Sequence, residues 1–451
     1  MTPHPVNASS TNRRRTLRST AVIGAAVVLL TLSACGSGAK TGAKVTSDAS
    51  ATLTVWTDDT RQPAVEAYRA AHPDVKMNIV LTSFTAGQVA QKIALDDKAG
   101  TGWPDVVFLG NPSDVSQLAA APLRFAAPLN DLVPQSVRDG YAKGTVAGCS
   151  WGGQAYCLPN DVAPVVLWVN QKLMKQFGYT VPTTMAQYQA LGEKVAAQHP
   201  GYLVGDINDR DGYGAFLGSS GCTDRQVTDP THITIDLSAD SCTRVTKLLQ
   251  PLVEDGSVSP TSPWDTTFAA KVGAKDKFLM YPAAAWFGAY GFKGTYKLPN
   301  GEIAAYPMPT WPGSTTPVTG AEGGGLWVVS SHSKNTQGAA DMITWLTTDS
   351  DPKGIVASPT LPAYTAVATR WCAAQKADPF YASDPCPVEQ READLMSPTF
   401  SYIRFEGQFD DSYAQTVIAA ATSKGDLTAA LSAWQGELVQ AAGNADYTVS
   451  K

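Results

Sequence analysis

From residue 52 the chain alternates polar and apolar positions. Leu53 and Val55 alternate with Thr52 and Thr54, a period of two that predicts a strand, and Trp56-Thr57-Asp58-Asp59-Thr60 breaks it. A helix is predicted over about Gln62 to Ala71, stopped by His72-Pro73, because proline disfavours helical geometry in the residue before it. Val75, Met77, Ile79 and Leu81 resume strict period two. Ala86, Val89, Ala90, Ile93 and Ala94 then recur at i, i+3, i+4, i+7 and i+8, one face of a helix. Asp105-Val106-Val107-Phe108-Leu109 is short and nearly all apolar, the pattern of a strand covered on both faces. This βαβαβ order predicts a parallel sheet, whose ligands sit beyond the carboxyl ends of its strands. The turns at those ends carry Trp56 to Thr60 and Gly110 to Asp114.

Further on, the apolar run Val162 to Val169 leads into a helix from Asn170 that ends at Gly178, and Val181-Pro182-Thr183-Thr184 opens another. Near the end Leu427, Ala430, Leu431, Trp434 and Leu438 form an amphipathic pattern behind a Gly425-Asp426 break. The roughly 400 residues from residue 52 onward exceed what one hydrophobic core serves, and two α/β lobes are expected.

The N-terminus changes the compartment. Arg13, Arg14, Arg15 and Arg18 precede an apolar run, Ala21 to Leu32, too short to span a bilayer comfortably. Leu32-Ser33-Ala34-Cys35 resembles the lipobox of bacterial lipoproteins, which implies residues 1–34 as signal peptide and Cys35 as the lipidated mature N-terminus. The arginine run before Thr16 and Leu17 is also similar to a twin-arginine signal, which leaves the export route open. Residues 35–50, rich in Gly, Ser, Ala, Thr and Lys, read as a flexible tether, and they lack the residue order of a phosphate-binding loop.

Cysteine usage agrees with export. Without Cys35 there remain Cys149, Cys157, Cys222, Cys242, Cys372 and Cys386, an even set for an oxidising compartment. Their clustering and local loop closure favour the pairs 149/157, 222/242 and 372/386 among fifteen possible pairings. No C-x-x-C occurs and the histidines are isolated, so no metal and no cofactor is expected. Net charge is −6, and the four arginines of the signal take the mature chain to about −10. A diffuse acidic balance argues against nucleic acid as a partner.

An ordered set of landmarks follows. Trp151-Gly152-Gly153-Gln154-Ala155-Tyr156-Cys157-Leu158-Pro159 precedes the apolar strand, Val169-Asn170-Gln171 and Gly178. Later come Lys277-Phe278-Leu279-Met280, Ala284-Ala285-Trp286-Phe287, Tyr306-Pro307-Met308-Pro309 and Gly323-Gly324-Gly325-Leu326-Trp327-Val328-Val329. Ser333-Lys334-Asn335, Ala339-Ala340 and Ile343-Thr344-Trp345-Leu346 complete the series. This succession resembles the extracellular solute-binding protein family 1, the group containing maltose-binding and related sugar-binding proteins. It departs from the family pattern at Val169, Gln171, Met185 and Ala285, where Tyr, Lys, Trp and Pro are usual.

The resemblance implies a two-lobed periplasmic-binding-protein-like fold (type II) with a hinge and a central ligand cleft. Residues 51–160 and 323–365 are then expected in lobe 1, and 161–322 and 366–451 in lobe 2. It further implies a monomeric carrier at the extracellular face of the membrane, anchored through Cys35. Such a carrier captures a di- or oligosaccharide by hinge closure and passes it to the permease of an ABC importer, with no covalent chemistry.

A sugar site needs carboxylates, amides or guanidinium for paired hydrogen bonds, and indole or phenol rings for the C–H faces. On these grounds the candidates are Trp56, Asp58, Asp59, Asn111, Asp161, Trp286, Glu322 and Arg404. Trp286 stands at the family's stacking position; its alternative is a core indole. Trp56 and its two aspartates are either ligand contacts or the core and cap of their turn, and Asn111 and Asp114 either contact ligand or cap a helix. Glu322 either reaches the cleft or caps a glycine loop, while Gly323 to Gly325 suit close chain approach. Ala163 stands where some maltose-type members place a carboxylate, with Asp161 as the neighbouring substitute. Tyr402, Phe405 and Phe409 share the neighbourhood of Arg404, which either binds ligand or forms a salt bridge.

Asp206-Ile207-Asn208-Asp209-Arg210-Asp211-Gly212 is loop-like, but a calcium loop would need an acid where Ile207 and Gly218 stand. The rival readings are a glycerol-phosphate diester or a polyamine as solute, and a secreted carbohydrate-active enzyme. The chain contains neither G-x-S-x-G nor H-E-x-x-H.

Overall fold

A computed structural model of the chain describes residues 45–82, 88–110, 112–151, 153–208, 211–222, 224–229, 231–314, 317–348, 358–396 and 403–450. Cys35, Asn111, Asp209, Arg210 and Tyr402 lie outside these residues. The βαβαβ run forms as β1 (Leu53–Thr57), α1 (Gln62–Ala71), β2 (Met77–Leu81), α2 (Gln88–Ala99) and β3 (Val106–Leu109). β1 pairs in parallel with both β2 and β3. Strand Leu326–Val329 joins β3 antiparallel, and Leu158–Pro159 completes five strands. Because Leu326 lies opposite Leu109, Gly323–Gly325 enter at the same sheet edge at which β3 leaves.

β1 runs two residues beyond its alternation, and this corrects the expectation for Trp56. Its indole is buried among Val89, Ala90 and Ile93 of α2, with Lys92 Nζ 3.6 Å from the ring centroid. Leu53 and Val55 point to one face of the sheet, so Trp56 points to the other. There α2 offers an apolar surface, and a large indole gains more from that burial than from a solvated turn.

The second lobe is built on Val165–Asn170, flanked antiparallel by Met280–Ala284 and Ile303–Tyr306. All six residues of this central strand are buried. Val165, Leu167 and Val169 enter one core and Val166 and Trp168 another, so the sheet is covered on both faces. Asn170 caps the next helix by accepting from the Leu173 amide at 3.0 Å, and Gly178 ends it at φ 69°. Thr184 and Gln187 form a capping box for Met185–Gln198. The helix Leu427–Asn444 buries Leu427, Ala430, Leu431, Trp434 and Leu438 in the first of these cores.

Three segments cross side by side where the sheets meet. The Val162 amide donates to Leu361 O (2.9 Å), Glu322 to Ala163 O (3.1 Å), Val165 to Gly320 O (3.0 Å) and Asn160 to Gly325 O (2.7 Å). Disulfides join Cys149–Cys157, Cys222–Cys242 and Cys372–Cys386, the short-range pairs that loop closure favours. Thr46, inside the stretch read as tether, is docked instead. Its hydroxyl accepts from the Thr336 amide (3.1 Å) and its carbonyl from Gln337 (3.1 Å), so it caps the helix Thr336–Thr348 from a distant part of the chain.

Candidate ligand-binding cleft

The carboxyl ends of the first lobe's strands face the second lobe across a cavity of about 440 Å³. One wall carries Thr60, Arg61 and Gly110, and the base carries Asp161, Glu322, Gly323–Gly325 and Thr360. The opposite wall carries Trp264, Trp286, Tyr290 and Thr295.

Arg61, which the sequence reading passed over, dominates the first wall. It lies where β1 gives way to α1, so the carboxyl end of the strand delivers it to the cleft. Its Nη1 is 3.2 Å from Asp58 Oδ2 and its Nη2 3.4 Å from Asp161 Oδ1. Its guanidinium carbon sits 4.5 Å from the centroid of the Phe108 ring. Burial alone would pull its pKa down, but Asp161, Tyr290 and Asp58 outweigh that, and the group stays charged. Asp58 is therefore a buried support behind Arg61. Burial pushes its carboxyl upward while Arg61 pulls against it. Asp59 is exposed and does not line the cleft, which corrects its place among the candidates: it lies in the turn after β1 with its side chain in solvent.

The base of the cleft is fixed by backbone. Asp161 Oδ1 accepts from Asn160 Nδ2 (2.9 Å) and from the Gly325 amide (3.2 Å). A Cβ on Gly325 would stand 2.5 Å from Phe108 Cζ and 2.7 Å from Asp161 Oδ1, so only glycine permits this approach. Glu322 Oε2 accepts from the Ala284 amide (3.1 Å), and its carbonyl accepts from Trp286 Nε1 (2.8 Å). One residue thus anchors the end of a second-lobe strand and the indole that follows it.

The second wall is aromatic. Trp286 is half-buried with its nitrogen tied down, which leaves ring surface for the cleft. Trp264 stacks beside it, centroids 6.1 Å apart and planes 22° apart, and stays 41% exposed. An indole that open presents ring surface to the cavity it lines. Tyr290 and Thr295 come from the π-helical segment Gly288–Thr295, a geometry frequent at functional sites. In Thr261-Ser262-Pro263-Trp264 the sequence did offer a signal for Trp264, an indole among turn residues. Tyr290 and Arg61 carried none.

Arg404 lies away from the cleft, correcting that expectation. Its guanidinium covers the Tyr447 ring at 4.1 Å and donates to Asp446 O at 3.3 Å, so it closes the C-terminal turn. Phe405 and Phe409 are core residues. Asp206 is buried at a strand end, where Oδ1 accepts from the Asn208 amide at 2.6 Å.

Two α/β lobes joined by hydrogen-bonded crossings, with a cleft walled by indoles on one side and paired charges on the other, define a two-lobed binding protein. A family model for the bacterial extracellular solute-binding protein matches residues 54–351, and the chain belongs to that family. It is 32% identical over 149 residues to the alpha-glucosides-binding periplasmic protein AglE of Rhizobium meliloti (strain 1021). That match spans 31% of this chain and 29% of the relative's length. The fold is similar to that of the galacto-N-biose-/lacto-N-biose I-binding protein of Bifidobacterium longum, solved with lacto-N-biose (TM-score 0.74, 19% identity, 89% of this chain and 99% of that one). It is similar too to an ABC-transporter-associated binding protein of B. animalis subsp. lactis Bl-04, solved with beta-1,6-galactobiose (TM-score 0.72, 19% identity, 89% and 99%).

Proposed function

We propose that this chain is the lipid-anchored carrier of an ABC importer, capturing a neutral di- or oligosaccharide at the outer face of the membrane. The observation that carries this reading is the pairing of the Trp264–Trp286 wall with the Asp161 and Glu322 carboxylates across one cleft. Indoles take the apolar face of a pyranose ring and carboxylates take its hydroxyl edge. The names of the relatives, which bind alpha-glucosides, lacto-N-biose and beta-1,6-galactobiose, support the same solute class.

The carrier acts as a monomer by hinge bending about the crossings near Asp161, Glu322 and Pro362, between lobes 51–160 with 323–365 and 161–322 with 366–451. The closed form is what the permease reads, and no bond in the ligand is made or broken. Signal residues 1–34 are removed, and Cys35 holds the chain to the membrane.

The test is thermal unfolding of the mature chain against maltose, trehalose, lacto-N-biose, β-1,6-galactobiose, a glycerol-phosphate diester and spermidine. A ligand that binds only the folded form adds about 2.7 kcal/mol at a hundredfold excess over Kd. A shift with a sugar that is lost in Trp286→Ala supports the reading. A shift with spermidine or the phosphodiester alone overturns the solute class and leaves the transport role.

A further inference from the structure

The charge balance of the cleft says more about the ligand, and this step rests on the carbohydrate reading above. Among the described residues, the cleft lining holds one cation, Arg61. That cation is already engaged by Asp58 at 3.2 Å and Asp161 at 3.4 Å, and Glu322 adds a further carboxylate to the same lining. A guanidinium so paired presents no net positive charge to an incoming group. An anionic ligand would therefore meet carboxylates without a compensating cation, at a steep desolvation and repulsion cost.

Two polar atoms are left over. Arg61 Nε and Tyr290 Oη are both buried; no hydrogen bond of good geometry reaches either among the described residues, although the phenol has the Thr60 side chain as a polar neighbour. Arg61 comes from the first lobe, at the end of β1. Tyr290 comes from the second, on the segment after Trp286. Native proteins rarely leave such groups dry and unbonded, because each gives up its hydrogen bonds to water without replacement. Both residues line one cavity, so the economical partner is a group that the ligand supplies. A sugar hydroxyl suits both: its oxygen accepts from the guanidinium, and it exchanges a hydrogen bond with the phenol.

We infer that Arg61 and Tyr290, one from each lobe, are the specificity-determining pair of this cleft, reading an uncharged ligand hydroxyl and excluding sugars that bear a carboxylate or phosphate.

The experiment is calorimetric titration of the full mature chain with maltose, lacto-N-biose and β-1,6-galactobiose, each beside its counterpart oxidised to the uronate at C6. Each neutral sugar that binds is expected to do so at least about tenfold more tightly than its uronate. Tyr290→Phe, which removes one oxygen and keeps the ring, is expected to weaken neutral binding roughly ten- to hundredfold with little change in Tm. Arg61→Lys keeps the charge but loses the planar fork, and a similar loss is expected. Uronates that bind as tightly as the neutral sugars overturn the inference, as does a Tyr290→Phe variant within twofold of wild type. If neutral sugars bind and need Trp286 but ignore Tyr290, this inference alone falls. If no sugar binds the wild-type chain, the carbohydrate reading falls and takes this inference with it.

Discussion

On the first-lobe side of the cleft Arg61 is held by two carboxylates and an aromatic face, and its supports are themselves bonded to backbone. On the second-lobe side Trp264 and Trp286 offer ring surface, with the Trp286 nitrogen tied to Glu322 O. The first wall is expensive to disturb because its charges have left water together, and removing one strands the others. The second wall tolerates change in the fold because half-exposed rings bury less of their surface. The lesson is that affinity and stability are divided between the walls: truncating the aromatic side should cost binding, and truncating the charged side should cost both.

The largest effect is expected from Trp286→Ala. Neutral oligosaccharide affinity should fall about a hundredfold or more by calorimetry, the outcome for a hot-spot indole, while Tm moves only a few degrees. Loss of both together would erase the contrast between the walls. Asp161→Asn comes next. It weakens the partner of Arg61 and also replaces an oxygen that accepts from Asn160 and Gly325, so Tm should drop by several degrees and binding by roughly tenfold. Trp264→Ala, at the open edge of the aromatic wall, should cost affinity about three- to tenfold and leave Tm unchanged.

A stability change without a binding change is expected from Glu389→Gln. Unlike Arg61, Glu389 is buried beside another acid: burial and the nearby Asp384 push its carboxyl up to about 8. A carboxyl raised above its unfolded value contributes stability that is complete below about pH 4.5 and is lost as pH rises through 8. The variant should therefore match wild-type Tm near pH 4.5 and exceed it above pH 8. A gap of the opposite sign would show that a cation compensates the carboxylate. The smallest effect is expected from Arg404→Ala and Trp56→Phe, each within twofold of wild-type affinity. A tenfold loss in either would return that residue to the ligand.

Period-two and period-3.6 patterns placed β1, α1, β2 and β3 within two residues of their observed bounds, because alternation records which face of a local element meets the core. The glycines before Leu326 are legible as well, since close chain approach leaves a mark on residue type, and Glu322 stands out beside them. Trp286 and Asp161 stand out through the family resemblance, and the fold gathers all three at one cleft. Trp56 was misjudged because the same residue types make a strand end and a ligand turn. Only the helix that covers its face separated the two.

What the chain determined by itself was therefore local and cumulative: the order of strands and helices, the caps at Asn170 and Thr184, the short-range cysteine pairs, and a length too great for one core. The tertiary structure decided which side chains meet. Arg61 stands 100 positions before Asp161 in the chain, and Trp264 joins Trp286 only because segments that follow strands of two different sheets, Val258–Ser259 and Met280–Ala284, converge. Pairings of that kind are set by how whole lobes pack, a property distributed over many residues that no short window of sequence contains.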